Sequence, residues 1–102
     1  MGKFAMKIHE SAQNHKIVAV SDASLVGKTV TDEKLETEFT ISQSFYGDEQ
    51  FDESSILEII KSADNLNLFG DEIVDLAIRE NVLKEANVIK VGGFKHAQLY
   101  KL

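Results

Sequence analysis

The chain has 102 residues, a formal net charge of −6 and no cysteine. Its length fits one domain, residues 1–102, with a single core, and the missing thiols exclude disulfides, thiolate metal sites and a cysteine nucleophile. A hydrophobic share of 43% with 27% charged residues suits a folded globular chain, and the negative balance argues against strong non-specific nucleic-acid binding.

The start, Met1 to Met6, lacks the apolar stretch of a secretory signal. Gly2 has Met6 where a myristoylation motif places Ser or Thr. The longest apolar run of any strength, Ile17 to Val20, is far short of a membrane span. A cytoplasmic location without membrane attachment is therefore the expectation.

From Phe4 the residues alternate. Phe4, Met6 and Ile8 face one way, and Lys3, Ala5, Lys7 and His9 the other, the period of a half-buried strand with Ile8 in the core. Glu10 to His15 turns the chain into Ile17-Val18-Ala19-Val20, which predicts an antiparallel hairpin. Gly27-Lys28-Thr29 resembles the end of a phosphate-binding loop, but Asp22 stands where the pattern needs its first glycine and no helical period follows. A tight turn between strands is the better reading. A third alternating run sets Leu35, Phe39 and Ile41 against Glu36, Glu38, Thr40 and Ser42, one face on the core and one in water.

The period changes at Asp52. Ile56, Ile59, Ile60 and Ala63 recur at helical spacing, and Ser55 with Glu58 has the spacing of a capping box. Asn65-Leu66-Asn67 reads as the end of that helix. A second helix runs from about Asp71 to Glu80, with Ile73, Leu76 and Ala77 on one side, so the two are expected to form an αα-hairpin. Val88, Ile89 and Val91 return to a strand that stops at Gly92-Gly93, and the tail from Phe94 is long enough for an optional last one. The predicted fold is α+β, a mostly antiparallel sheet carrying the αα-hairpin, in the order β-β-β-α-α-β(-β).

No motif names a chemistry. His9, His15 and His96 are scattered and lack the spacing of a helical metal site, so no metal and no cofactor is expected. His9 and His15 read as solvent-exposed. There is no Gly-x-Ser-x-Gly element for a serine nucleophile, and the acidic residues single out no catalytic pair. Two segments are less ordinary. Phe45-Tyr46-Gly47 sets aromatics against a glycine turn, and Gly92-Gly93-Phe94-Lys95-His96-Ala97-Gln98 combines two glycines with a cation, an imidazole and an amide. Gly92 and Gly93 would open the backbone to a ligand, and Lys95, His96 and Gln98 would hold an anionic or polar group on an exposed loop or strand edge. A strand turn whose polar side chains are merely solvated accounts for the same residues. Residues 84–102 carry Lys84, Lys90, Lys95 and Lys101 against Glu85 alone, whereas residues 1–83 carry seven basic and sixteen acidic side chains. This asymmetry reads either as a solvated face or as a small basic patch for an anionic partner.

Leu25-Val26-Gly27-Lys28-Thr29, Phe45-Tyr46-Gly47, Asn67-Leu68-Phe69-Gly70-Asp71 and Gly92-Gly93-Phe94-Lys95-His96-Ala97-Gln98 together resemble the archaeal domain-of-unknown-function family 424. The likeness spans about Met6 to Gln98, and Lys95 stands where that family usually carries proline. The resemblance implies an archaeal cytoplasmic protein, brings no activity, cofactor or catalytic residue, and makes residues 1–5 an N-terminal extension. Three functions follow as expectations. The first is a module binding RNA or a partner in translation or RNA processing, with Tyr46, Phe94 or Tyr100 for stacking. The second is a small-molecule enzyme or ligand-binding protein with a site near His96 and Tyr46. The third is a self-associating protein, such as a homodimer, held by Phe45, Phe51 or Phe69.

Overall fold

The computed structural model describes residues 2–10, 13 and 15–100. Strands β1 (Phe4–Glu10) and β2 (Lys16–Asp22) form the expected antiparallel hairpin, in register from Phe4 opposite Asp22 to Glu10 opposite Lys16. A short ribbon of β3 (Thr29–Asp32) and β4 (Thr37–Thr40) follows, then the single-turn helix α1 (Gln43–Tyr46) and the two-residue strand β5 (Gln50–Phe51). Helix α2 (Glu53–Ser62), strand β6 (Asn65–Phe69), helix α3 (Asp71–Arg79) and the hairpin β7 (Val88–Val91) with β8 (Phe94–Tyr100) complete the chain. The main sheet has six strands in the order β5-β1-β2-β6-β8-β7. Among the described residues only the pair of β2 with β6 is parallel.

The α+β class and the mostly antiparallel sheet agree with the sequence. The αα-hairpin does not form. Asn65-Leu66-Asn67, expected to end the first helix, instead begins β6, which lies between β2 and β8 at the centre of the sheet. The reason is alternation. Leu66 and Leu68 are buried toward the helices, while Asn65, Asn67 and Phe69 take the opposite face, and such a segment completes a sheet better than it caps a helix. Gly27 forms the anticipated turn: its N–H donates to the Ile41 carbonyl, and Lys28 N–H to that of Leu25.

Each face of the sheet has its own core. Helices α2 and α3 cover one, where Ile56, Ile60, Ile73, Val74, Leu76 and Ala77 pack on Val18, Val20, Leu66 and Leu68. Asp52 caps α2, its carboxylate accepting from Ser55 N–H at 3.0 Å, in place of the expected Ser55–Glu58 box. The β3–β4 ribbon and α1 cover part of the other face, over Ala19, Leu25, Ile41, Tyr46, Phe69 and Val91. Ile8 departs from expectation. It is 47% exposed, because it lies beyond the end of β5 on the outer strand. Ile8→Ala should therefore cost less than about 1 kcal/mol in urea unfolding, well below the 2–5 kcal/mol of a buried isoleucine; a loss in that larger range would show that the strand end is covered. Leu35, also expected inward, is 65% exposed at the tip of the ribbon.

Candidate functional site: the open half of the sheet

The segment Gly92 to Gln98, expected as an exposed loop or strand edge, is a hairpin turn followed by an inner strand. Gly92 and Gly93 form the two-residue turn of the β7–β8 hairpin, both at positive φ (58° and 86°), the backbone such a tight turn demands. Asp32 on the ribbon accepts Gly92 N–H at 3.2 Å and Leu35 N–H at 3.1 Å. These bonds hold its carboxyl below the usual carboxylate range. Lys95 is not a free cation: its Nζ reaches Asp75 at 2.6 Å, and its N–H donates to Asp71. His96 is buried on an inner strand, not on an edge. Its Nδ1–H donates to the Leu68 carbonyl at 2.8 Å, the ring lies 5.3 Å from that of Phe69, and burial pushes its pKa down. An imidazole held in this way joins β8 to β6.

Gln98 and Tyr46 belong elsewhere. Side chains alternate along each strand, so Phe69 and His96 share a face with Asn67 and Asn65 on β6, Gln98 and Tyr100 on β8, Ala19 and Ile17 on β2, and Lys7 and His9 on β1. The ribbon and α1 cover the Phe69 and His96 end of this face. Beyond α1 the face is open. A cleft of about 540 Å³ lies there, lined by Ile17, Phe45, Asn65, Asn67, Gln98 and Tyr100, and a hollow of about 410 Å³ continues past His9 and His15.

Helix α1 forms the wall between the two halves. Ser42 caps it, accepting Phe45 N–H at 3.1 Å, and this places Phe45 and Tyr46 over the sheet. Tyr46 turns inward, 2% exposed, and its hydroxyl donates to Asn67 Oδ1 at 2.7 Å. Desolvation drives its phenol pKa up. Phe45 turns toward β1, where its ring stacks on His9 at 4.8 Å and its carbonyl accepts His9 Nε2–H at 2.7 Å. His9 is thereby half-buried rather than solvent-exposed as expected. At the far side Tyr100 stands 60% exposed, opposite Asn65 in the pairing, as Gln98 stands opposite Asn67.

The chain has 17 acidic residues, yet none lines the 540 Å³ cleft. Glu10 lies at the rim of the adjoining hollow, together with His9 and His15, whereas Lys7, its Nζ on the Ser44 carbonyl, lines a separate depression. A larger depression of about 770 Å³ at the outer edge of β1 is bordered by Asp48 and Glu49, which would oppose an anion there. Of the basic C-terminal residues, Lys84 and Lys90 are exposed away from the cleft, and Lys101 lies outside the described residues. Among the described residues no three His, Asp or Glu side chains gather as a metal site, and no helix is long and apolar enough to cross a membrane.

Asn65 and Asn67 are hidden in the sequence because, between two helical patterns, they have the look of a helix end. The alternation Asn-Leu-Asn-Leu-Phe was the available signal.

This arrangement defines an α+β protein whose sheet is sandwiched over one half and open over part of the other. The family model for a protein of unknown function (DUF424) matches residues 9–102, and the chain belongs to that family, as the motifs implied. No curated protein matches it. The chain is similar to a solved structure, the crystal structure of an uncharacterized conserved protein from Methanopyrus kandleri. The TM-score is 0.78 at 19% identity, over 97% of this chain and 91% of that one. At that identity the likeness concerns the fold alone, and the family's function is unknown.

Proposed function

We propose that this chain is a binding module for single-stranded RNA and that the open half of its sheet is the contact surface. One observation carries the reading. An exposed tyrosine, three side-chain amides and a half-buried phenylalanine line one concave cleft without a carboxylate on an otherwise acidic protein. Unstacked bases are recognised in just this way, by aromatic faces and by hydrogen bonds to their edges. Tyr100 supplies the accessible ring. Asn65, Asn67 and Gln98 supply donors and acceptors at fixed positions on two paired strands. Among the described residues no lysine lines the cleft or the hollow beside it, so affinity depends more on stacking than on charge.

The alternatives have weaker support. A small-molecule site at His96 would need a ring that is buried and already bonded. Of the apolar anchors for self-association, Phe69 is fully buried, which leaves only Phe45 and Phe51.

Tyr100→Ala separates these readings. Fluorescence anisotropy with a labelled eight-nucleotide RNA should show binding weakened by 5- to 150-fold, the roughly 1–3 kcal/mol of one stacked base. Folding stability should be nearly unchanged because the ring is exposed. The slope of log K against log salt should stay shallower than about −1.4, fewer than two phosphate contacts. Unchanged affinity in Tyr100→Ala, or no RNA binding by the unaltered chain, would overturn the proposal.

A further inference from the structure

Within that reading, one pair of residues bears on which bases the face accepts. Asn67 sits at the centre of β6, half-buried, with its side chain lining the cleft. A carboxamide has an accepting end and a donating end. The Tyr46 hydroxyl is buried beneath it, and among the described residues its hydrogen-bond partner is Asn67. A buried hydroxyl needs an acceptor for its proton, so it must take the oxygen of the amide. The NH2 group is left as the end available to the cleft, and no described residue accepts from it. Gln98, opposite Asn67 and exposed, has no side-chain hydrogen bond among the described residues, so it can turn either end toward a ligand.

We infer that Tyr46 fixes Asn67 as a hydrogen-bond donor that meets the exocyclic group at pyrimidine C4 or purine C6, and that the face therefore prefers bases with a carbonyl there, uracil and guanine, over cytosine and adenine. The chemistry follows from the exocyclic group. Uracil O4 and guanine O6 accept the Asn67 NH2, and the neighbouring ring N–H donates to Gln98 Oε1. Cytosine and adenine carry an amino group at the same place, which would meet Asn67 donor against donor. A site that leaves a polar group unpaired rejects the wrong ligand more effectively than one that loses only contact area. Tyr46 is a positioning residue here, since it touches Asn67 and not the base.

The inference rests on the RNA reading, and one experiment distinguishes the failure of each. Labelled octamers of uridine, cytidine and adenosine are titrated against the unaltered chain, Tyr46→Phe and Asn67→Asp. The unaltered chain should bind the uridine octamer about tenfold more tightly than the other two, the scale of one well-made base contact. Tyr46→Phe frees the amide to turn, so the three affinities should converge. Asn67→Asp replaces donor with acceptor, so cytidine and adenosine should gain relative to uridine even as the added charge weakens all three. These are ratios within one variant, so a general loss of stability does not produce them. Equal binding of all three octamers by the unaltered chain would overturn the inference and leave the RNA reading standing. So would a uridine preference that persists in Tyr46→Phe. If no octamer binds, the RNA reading fails and the inference falls with it.

Discussion

Phe69→Ala is expected to destabilise the protein by about 3–5 kcal/mol, the range for removing a fully buried aromatic ring. Phe69 has no exposed surface, and it lies beside Ser21 of β2 and His96 of β8. Its ring stacks on Phe39 of the ribbon at 5.3 Å with only 6° between the planes, and it also meets His96, Tyr46 and Phe94. One side chain thus touches both elements that cover this face of the sheet. Truncation leaves a cavity that rings held on three different elements cannot collapse to fill. Urea unfolding should show a lower midpoint at unchanged slope. A loss under about 1 kcal/mol would mean that the ribbon and α1 are seated by other contacts.

The second large effect concerns Asp22, whose position is set by topology. Helix α3 begins after Gly70, which has no side chain to cap it. Because β2 runs parallel to β6, Asp22 at the end of β2 comes beside Gly70, and its carboxylate accepts the N–H groups of Ile73 at 2.8 Å and Glu72 at 3.0 Å. A Cβ on Gly70 would overlap that carboxylate, so the cap and the glycine require one another. Burial raises the Asp22 pKa to about 6, against the opposing pull of the two N–H bonds. The folded value thus lies above the unfolded 3.8. The group's stabilising contribution is fully present below pH 3.8 and is lost as pH rises through about 6. Asp22→Ala strips the acceptor from two N–H groups, at about 1–3 kcal/mol for each one left buried and unsatisfied. The measured difference from the unaltered chain should therefore be about 2–4 kcal/mol near pH 4 and should shrink toward pH 7. Asp32 and Asp52, whose pKa values are lowered by backbone N–H bonds, act in the opposite sense at lower pH, but they cancel in this comparison. A difference that grows from pH 4 to pH 7 would show that the N–H bonds outweigh burial and hold Asp22 as an anion.

The elements that could be read from sequence are those whose signal is local. The β1–β2 hairpin shows in the alternation from Phe4 and in the apolar run at Ile17. Both longer helices show in their apolar stripes, and α3 begins where Asp71 was placed. Strand β6 could not be read in the same way. Its five residues fall between two helical patterns, and they become a strand only by pairing with β2, more than forty residues earlier, and β8, about thirty later. With β6 misread, the two helices were joined and Asn67 was lost from view. The site was legible in fragments for the same reason. Tyr46, Gln98 and Tyr100 stood out as residue types, but what unites them is a face, and a face exists only once the strand order is known. Lys95 and His96 attracted attention through their chemistry. Asp75 and the Leu68 carbonyl, which occupy them, lie about twenty and twenty-eight positions away, and nothing local announces such partners.

The most direct test of the RNA-binding surface is a map of backbone amide shifts as a uridine octamer is added to the uniformly 15N-labelled protein. The proposal predicts that the changes concentrate on Ile17, Asn65, Asn67, Gln98 and Tyr100, with Phe45 at their border, while Gly92, Gly93 and Lys95 stay in place. Changes centred on the β7–β8 turn, or none at any RNA concentration reached, would contradict it.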